Sequence, residues 1–129
     1  MHHRFYQYKM VGKLAGWAWF IIGFFLWFHV AHAAQLVMVD SKTCHYCQLW
    51  HEEIGEGYPY SAEGKIAPLR IIQIENIPND LSHLQGIIYT PTFILMDEEK
   101  EIDRITGYPG KDFFYPLLSN MLEKLEEQP

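Results

Sequence analysis

Cysteine is scarce in this chain. Only Cys44 and Cys47 occur among its 129 residues, which excludes a fold stapled by several disulfides. A single crosslink closing a two-residue gap removes little freedom from the unfolded chain, so the pair points to chemistry or a metal more than to stability. No second C-x-x-C exists to complete a four-ligand zinc site. Residue 48 is Gln48, so the C-x-x-C-H pattern of haem attachment is missing as well. The sequence also lacks internal repeats and low-complexity runs, and its length suits one domain with one core.

Basic charge is scarce too, and much of it lies at the N-terminus. Residues 2–13 carry His2, His3, Arg4, Lys9 and Lys13 and no acid, and residues 14–28 (LAGWAWFIIGFFLWF) carry no charge. Ala31 and Ala33 follow at small-x-small spacing. A basic stretch, an apolar run of about 15 residues and a small-residue site form the anatomy of a secretory leader. Residues 1–33 are therefore expected to be a signal peptide cleaved after Ala33, with residues 34–129 as the mature domain. The alternative is an uncleaved anchor helix over residues 11–34, but a spanning helix wants about 20 apolar residues. Either reading exports the domain and lets it meet a membrane only through this segment. Without residues 1–33, seven basic residues face sixteen acidic ones, a net charge of −9 with neutral histidines. That balance argues against nucleic-acid binding.

The remaining chain alternates strand and helix signals. Residues 36–40 (LVMVD) read as a buried strand, and residues 44–54 as a helix with Cys47, Leu49, Trp50 and Ile54 on one side and Glu52 and Glu53 on the other. Residues 55–64 are punctured by glycine and proline and read as loop. Residues 69–74 and 92–96 read as strands, with a short helix over 79–85 between them. Residues 101–106 read as an antiparallel strand after a turn, and residues 112–126 as a helix with Phe113, Phe114, Leu117, Leu118, Met121, Leu122 and Leu125 on its apolar side. The order β-α-β-α-β-β-α predicts an α/β fold: a four-stranded mixed sheet with helices on both faces. Its strand–helix–strand units imply parallel pairing.

Cys44 falls where a strand ends and a helix begins. Unpaired N–H groups and the positive end of the helix dipole favour a thiolate there. Cys47 lies one turn further on, within reach of a mixed disulfide formed on Cys44. The spacing thus assigns attack to Cys44 and resolution to Cys47. A metal site recruiting His45 or His51 is the lesser reading, because it falls short of ligands, and none is expected. The second signal is Tyr89-Thr90-Pro91-Thr92, with Pro91 just before a strand, where its missing N–H does least harm.

The segment LVMVDSKTCHYCQLWHEEIGEGYP, the Thr-Pro-Thr-Phe run and EIDRITGYPGKDFFYPLL resemble the SoxS-type periplasmic thioredoxins, within the wider thioredoxin-like group of exported redox proteins. The likeness covers about residues 35–125. The narrower signature is Gly107-Tyr108-Pro109-Gly110-Lys111-Asp112-Phe113-Phe114. The resemblance implies a thioredoxin fold and a periplasmic thiol–disulfide oxidoreductase working through a redox-active Cys44–Cys47 disulfide, with no other cofactor. It implies a cis bond at Thr90–Pro91, the two residues lining the client surface. It further implies a client protein kept reduced, in the SoxS group the carrier protein of the sulfur-oxidising system, with electrons from a membrane thiol transporter. Two other roles stay open: a regulatory module serving one partner, and a copper chaperone.

The sequence departs from thioredoxins of the cytoplasmic type. Those bury an acid six positions before the first cysteine, where Met38 stands here. Asp40, four positions before, is read as an ordinary strand-end acid. His45 and Tyr46 occupy the two positions between the cysteines and are expected to tune the pair. His45 resembles the histidine of strongly oxidising pairs, and Tyr46-Cys47 resembles disulfide isomerases, so direction stays open. Trp50 is expected in the core, and His51 on a solvated face. His83 has no evident partner. Tyr58 and Tyr60 are loop aromatics that could flank the site.

Overall fold

The computed structural model describes residues 34–128; the leader or anchor expected over residues 1–33 lies outside them. Ala34–Asp40 forms β1. His45–Trp50 forms α1, which runs on into a π-helical turn over His51–Gly55. A 3-10 turn at Tyr58–Tyr60 leads into a short helix α2, Ala62–Ile66, and then β2, Leu69–Gln73. A second 3-10 turn covers Asn79–Leu81. Thr92–Asp97 is β3, Lys100–Thr106 is β4, and Lys111–Glu126 is α3.

The four strands make one mixed sheet in the order β2-β1-β3-β4. The two central strands are the ones with continuous apolar runs. Leu36 to Val39 and Phe93 to Leu95 are wholly inaccessible to solvent, because both faces of a central strand are covered. Edge strand β4 alternates instead, and of its residues only Ile105 is buried.

Pairing corrects one expectation. β1 and β2 are parallel, with Leu36 opposite Leu69 and Asp40 opposite Gln73. β3, however, runs antiparallel to β1, with Met38 opposite Phe93 and Val39 opposite Thr92. The reason is where the connection begins and ends. β2 finishes at the Asp40 end of the sheet, and β3 starts at that same end, so residues 74–91 make no crossover back to the far end.

The expectation of helices on both faces also fails. One face carries Leu36, Met38, Phe93 and Leu95, packed against Trp50 and Ile54 of the first helix and Phe114, Leu118 and Met121 of α3. The other carries Val37, Val39, Ile94 and Met96, covered by Leu81 and Leu84 with Ile77 and Ile87 at the margin. The apolar spacing in that cover suits a helix, yet only a 3-10 turn forms. The Ser82 hydroxyl bonds the Asn79 carbonyl at 2.7 Å, competing with a helical ladder, and a stretch this short is a marginal helix anyway.

Two smaller corrections concern helices. Residues read as open loop include α2, capped by Ser61, whose hydroxyl accepts from Gly64 N–H at 2.9 Å. Gly64 is required by close approach: a Cβ there would stand 1.9 Å from the Tyr58 carbonyl oxygen. On α3 the buried set is Phe114, Leu118, Met121, Leu122 and Leu125. Phe113 and Leu117, expected on the same side, are exposed, because the sheet-facing stripe follows the 3-4 spacing from Phe114 and leaves them on its outer flank. None of the described helices is long and apolar enough to cross a membrane.

Candidate active site

The sheet's register gathers the chemistry at one end. Asp40 closes β1 there, Pro91 immediately precedes β3, and Gly107 immediately follows β4, since Val39 pairs with Thr92 and Thr92 with Thr106. The first helix starts at the same end. Its N-terminal turn is fixed by the Cys44 N–H bond to the Ser41 carbonyl at 3.1 Å.

Cys44 is the N-cap of α1, with extended backbone angles, φ −90° and ψ 110°. Its sulfur accepts the Cys47 backbone N–H at 3.1 Å, taking the role an Asp or Ser oxygen usually plays in satisfying a free helical donor. Cys44 and Cys47 are joined as a disulfide, with Cα atoms 5.2 Å apart. Their environments differ sharply. Cys44 is partly exposed at the helix tip, whereas Cys47 is 1% exposed and belongs to the core cluster with Trp50, Phe93, Tyr108 and Phe114. A reagent in solution can therefore approach Cys44 and not Cys47.

His45 and Tyr46 lie between them on the exposed side. Their rings meet edge to face at 5.6 Å, and Tyr46 is 57% exposed. On the other side of the sheet end, the Thr90–Pro91 bond is cis. Pro91 is buried and Thr90 partly so. Thr92 Oγ donates to the Tyr89 carbonyl at 2.6 Å, closing the turn from within, and the Pro91 carbonyl accepts Gly107 N–H at 2.7 Å. Tyr89 and Ile88, just upstream, are exposed. The topology thus brings Cys44, His45, Tyr46, Thr90 and Pro91 to one end of the fold.

Three contacts escaped the sequence reading. His51 is not a free surface residue: its Nε2 pairs with Asp40 Oδ2 at 2.9 Å, while its backbone N–H bonds the Cys47 carbonyl one turn back. The backbone bond is the ordinary one of a helix, and the Asp40 partner, eleven residues away at the strand end, left no local signal. His83 also has a partner, the Glu99 carbonyl at 2.8 Å. Tyr108 Oη donates to Glu53 Oε2 at 2.6 Å across 55 residues of sequence. Burial, reinforced by that carboxylate, pushes the Tyr108 phenol well above its ordinary value. As for Trp50, it lies in the core as expected, its ring 5.4 Å from Phe93 and 5.8 Å from Phe114. Tyr58 is wholly buried, its hydroxyl bonded to the Ala67 carbonyl at 2.8 Å, so it cannot flank the site; Tyr60 is 81% exposed.

No group of three or more His, Cys, Asp or Glu among the described residues is arranged to hold a metal. A partly exposed sulfur on a helix N-terminus, bonded to a buried second sulfur, is an arrangement for two-electron thiol–disulfide exchange.

Comparison with known proteins points the same way. Residues 28–122 match the thioredoxin-like domain family. Among solved structures, the chain is similar to the periplasmic thioredoxin SoxS from Paracoccus pantotrophus in its reduced form. The sequences are 36% identical with a TM-score of 0.68, and the match covers 71% of this chain and 98% of that one. No curated protein sequence matches the chain.

Proposed function

Because the chain belongs to the thioredoxin-like family and is a thiol–disulfide oxidoreductase, we propose that it works as a periplasmic reductant of a client protein's disulfide, with Cys44 as nucleophile and Cys47 as resolving thiol. The observation that carries this reading is the difference in access between the two sulfurs: Cys44 partly exposed, Cys47 buried.

In the reduced protein, the Cys44 thiolate is favoured by the Cys47 N–H aimed at its sulfur and by the helix N-terminus. It attacks one sulfur of the client disulfide, forming a mixed disulfide and expelling the other client sulfur as a thiolate, which takes up a proton. Cys47 then loses its proton and attacks Cys44 Sγ. The mixed disulfide breaks, the second client thiolate leaves, and the Cys44–Cys47 disulfide remains. Two electrons have passed to the client. Thr90 and Pro91 form the opposite wall of the site, where the client chain docks.

Location follows from the leader reading of residues 1–33 and from the periplasmic relative. A protein oxidised at each turnover outside the cytoplasm needs its electrons delivered across the membrane, and a membrane thiol transporter fits that need. By the likeness to SoxS, the client belongs to a sulfur-oxidising system. The purified protein should reduce insulin disulfides with dithiothreitol as electron source, and Cys44→Ser should return the rate to that of dithiothreitol alone. Insulin reduction by Cys44→Ser at the wild-type rate would contradict the assignment.

A further inference from the structure

The turn Gly107-Tyr108-Pro109-Gly110 borders the site, and Tyr108 is its only buried residue. Gly107 and Gly110 both take left-handed backbone angles, φ 88° and φ 97°, which side chains rarely adopt. A Cβ at either would meet nothing within 4 Å, so neither position is packed against a neighbour. Pro109 is exposed. The helix that follows begins without a side-chain cap, Gly110 being its N-cap. Two hydrogen bonds tie the turn to other segments among the described residues: Gly107 N–H to the Pro91 carbonyl, and Tyr108 Oη to Glu53.

The second of these reaches the helix that carries the cysteines. Glu53 lies in the π-helical turn that extends α1, an irregularity common at functional sites. Tyr108 is 7% exposed, with its ring against Phe114 at 6.0 Å. Its phenol therefore depends on a protein partner. It has a carboxylate at 2.6 Å, the length of a charge-assisted bond. The turn thus joins Pro91 on one side to the cysteine helix on the other.

We propose that the Glu53–Tyr108 bond is a positioning device: it fixes the gap between the Pro91 wall and the cysteine helix, and so sets affinity for protein clients without acting in the thiol exchange. The inference rests on the reading that Cys44 and Cys47 exchange with a protein disulfide. Protein clients must fit between these segments, whereas dithiothreitol reaches the exposed edge of the cysteine pair without them. Tyr108 is accordingly a positioning residue and not a catalytic one.

The test uses the purified full chain, with insulin as the protein disulfide and dithiothreitol as the small thiol. In Tyr108→Phe, which keeps the ring, the KM for insulin should rise several-fold, up to about tenfold if the full worth of one charged hydrogen bond is felt as client affinity. The kcat, the rate of Cys44–Cys47 reduction by dithiothreitol and the midpoint potential should stay as in wild type. Glu53→Ala, a change on the helix surface that keeps the core intact, should reproduce that pattern. Glu53→Gln, which retains an acceptor, should recover most of the affinity. The double variant should be no weaker than either single, because both remove one interaction. An unchanged KM in both single variants overturns the inference, as does a potential or dithiothreitol rate that shifts with KM. Wild-type protein inert toward insulin overturns the underlying reading and this inference together.

Discussion

Cys47→Ser should turn the protein from a catalyst of turnover into a trap. The variant keeps Cys44 at the helix tip, so attack on a client disulfide still proceeds. The mixed disulfide then persists, because the sulfur that would displace it is gone. In wild type, Cys47 sits one turn from Cys44, with Cα atoms 5.2 Å apart, and acts intramolecularly. Well-placed groups of this kind reach effective concentrations of about 10⁵ M or more, against millimolar external thiol. Insulin turnover should fall at least ~100-fold on that argument. Client protein should instead appear covalently attached on non-reducing gels and release with excess dithiothreitol. A variant that holds no protein while wild type turns over would remove Cys47 from the resolving role.

The second large effect concerns the core beneath the site. Phe114→Ala should destabilise the domain by about 3–5 kcal/mol, the usual cost of emptying a buried phenylalanine site. Phe114 is wholly buried at the junction of the aromatic cluster, its ring 4.9 Å from Phe93, 5.8 Å from Trp50 and 6.0 Å from Tyr108. No single neighbour can fill the void without leaving its own place. For a domain of this size the loss should lower the melting temperature by roughly 15–30 °C. Phe114→Leu should cost much less, because volume and apolar character are largely kept. Thermal unfolding followed by circular dichroism measures both. Equal losses in the two variants would show that the ring's volume is not what the cluster depends on.

Much of the fold was legible in the sequence because its strongest signals are local. The apolar runs at Leu36–Val39 and Thr92–Met96 could be buried strands on pattern alone, and the Asp97–Lys100 turn forced an antiparallel partner after them. The sixteen residues of α3 carry a stripe that survives even Pro116 within the helix. The cysteine pair was legible because a strand end, two cysteines and a helical spacing coincide. Most of what escaped depended on distance in sequence or on how a stripe is buried. The direction of β3 is decided by where residues 74–91 return, which no window of the chain reveals. The cover of the second face has helical spacing, but the segment is short and the Ser82 hydroxyl bonds the Asn79 carbonyl, so only a 3-10 turn forms. The Asp40–His51 and Glu53–Tyr108 pairs join elements 11 and 55 residues apart, and no periodicity links them. Phe113 and Leu117 were misplaced because seven apolar residues on one helix exceed the stripe the sheet can bury.

The direction of electron flow is the central claim, and the reduction potential of the Cys44–Cys47 pair tests it most directly. His45 beside the nucleophile would favour the thiolate and raise the potential, while the proposed reducing role requires a low one. Equilibration of the purified protein with dithiothreitol or glutathione redox buffers, read out by thiol alkylation, gives the value. The account predicts a potential near that of thioredoxin, about −270 mV. A value near −120 mV, typical of strong disulfide donors, would contradict it and make the protein an oxidant of its clients.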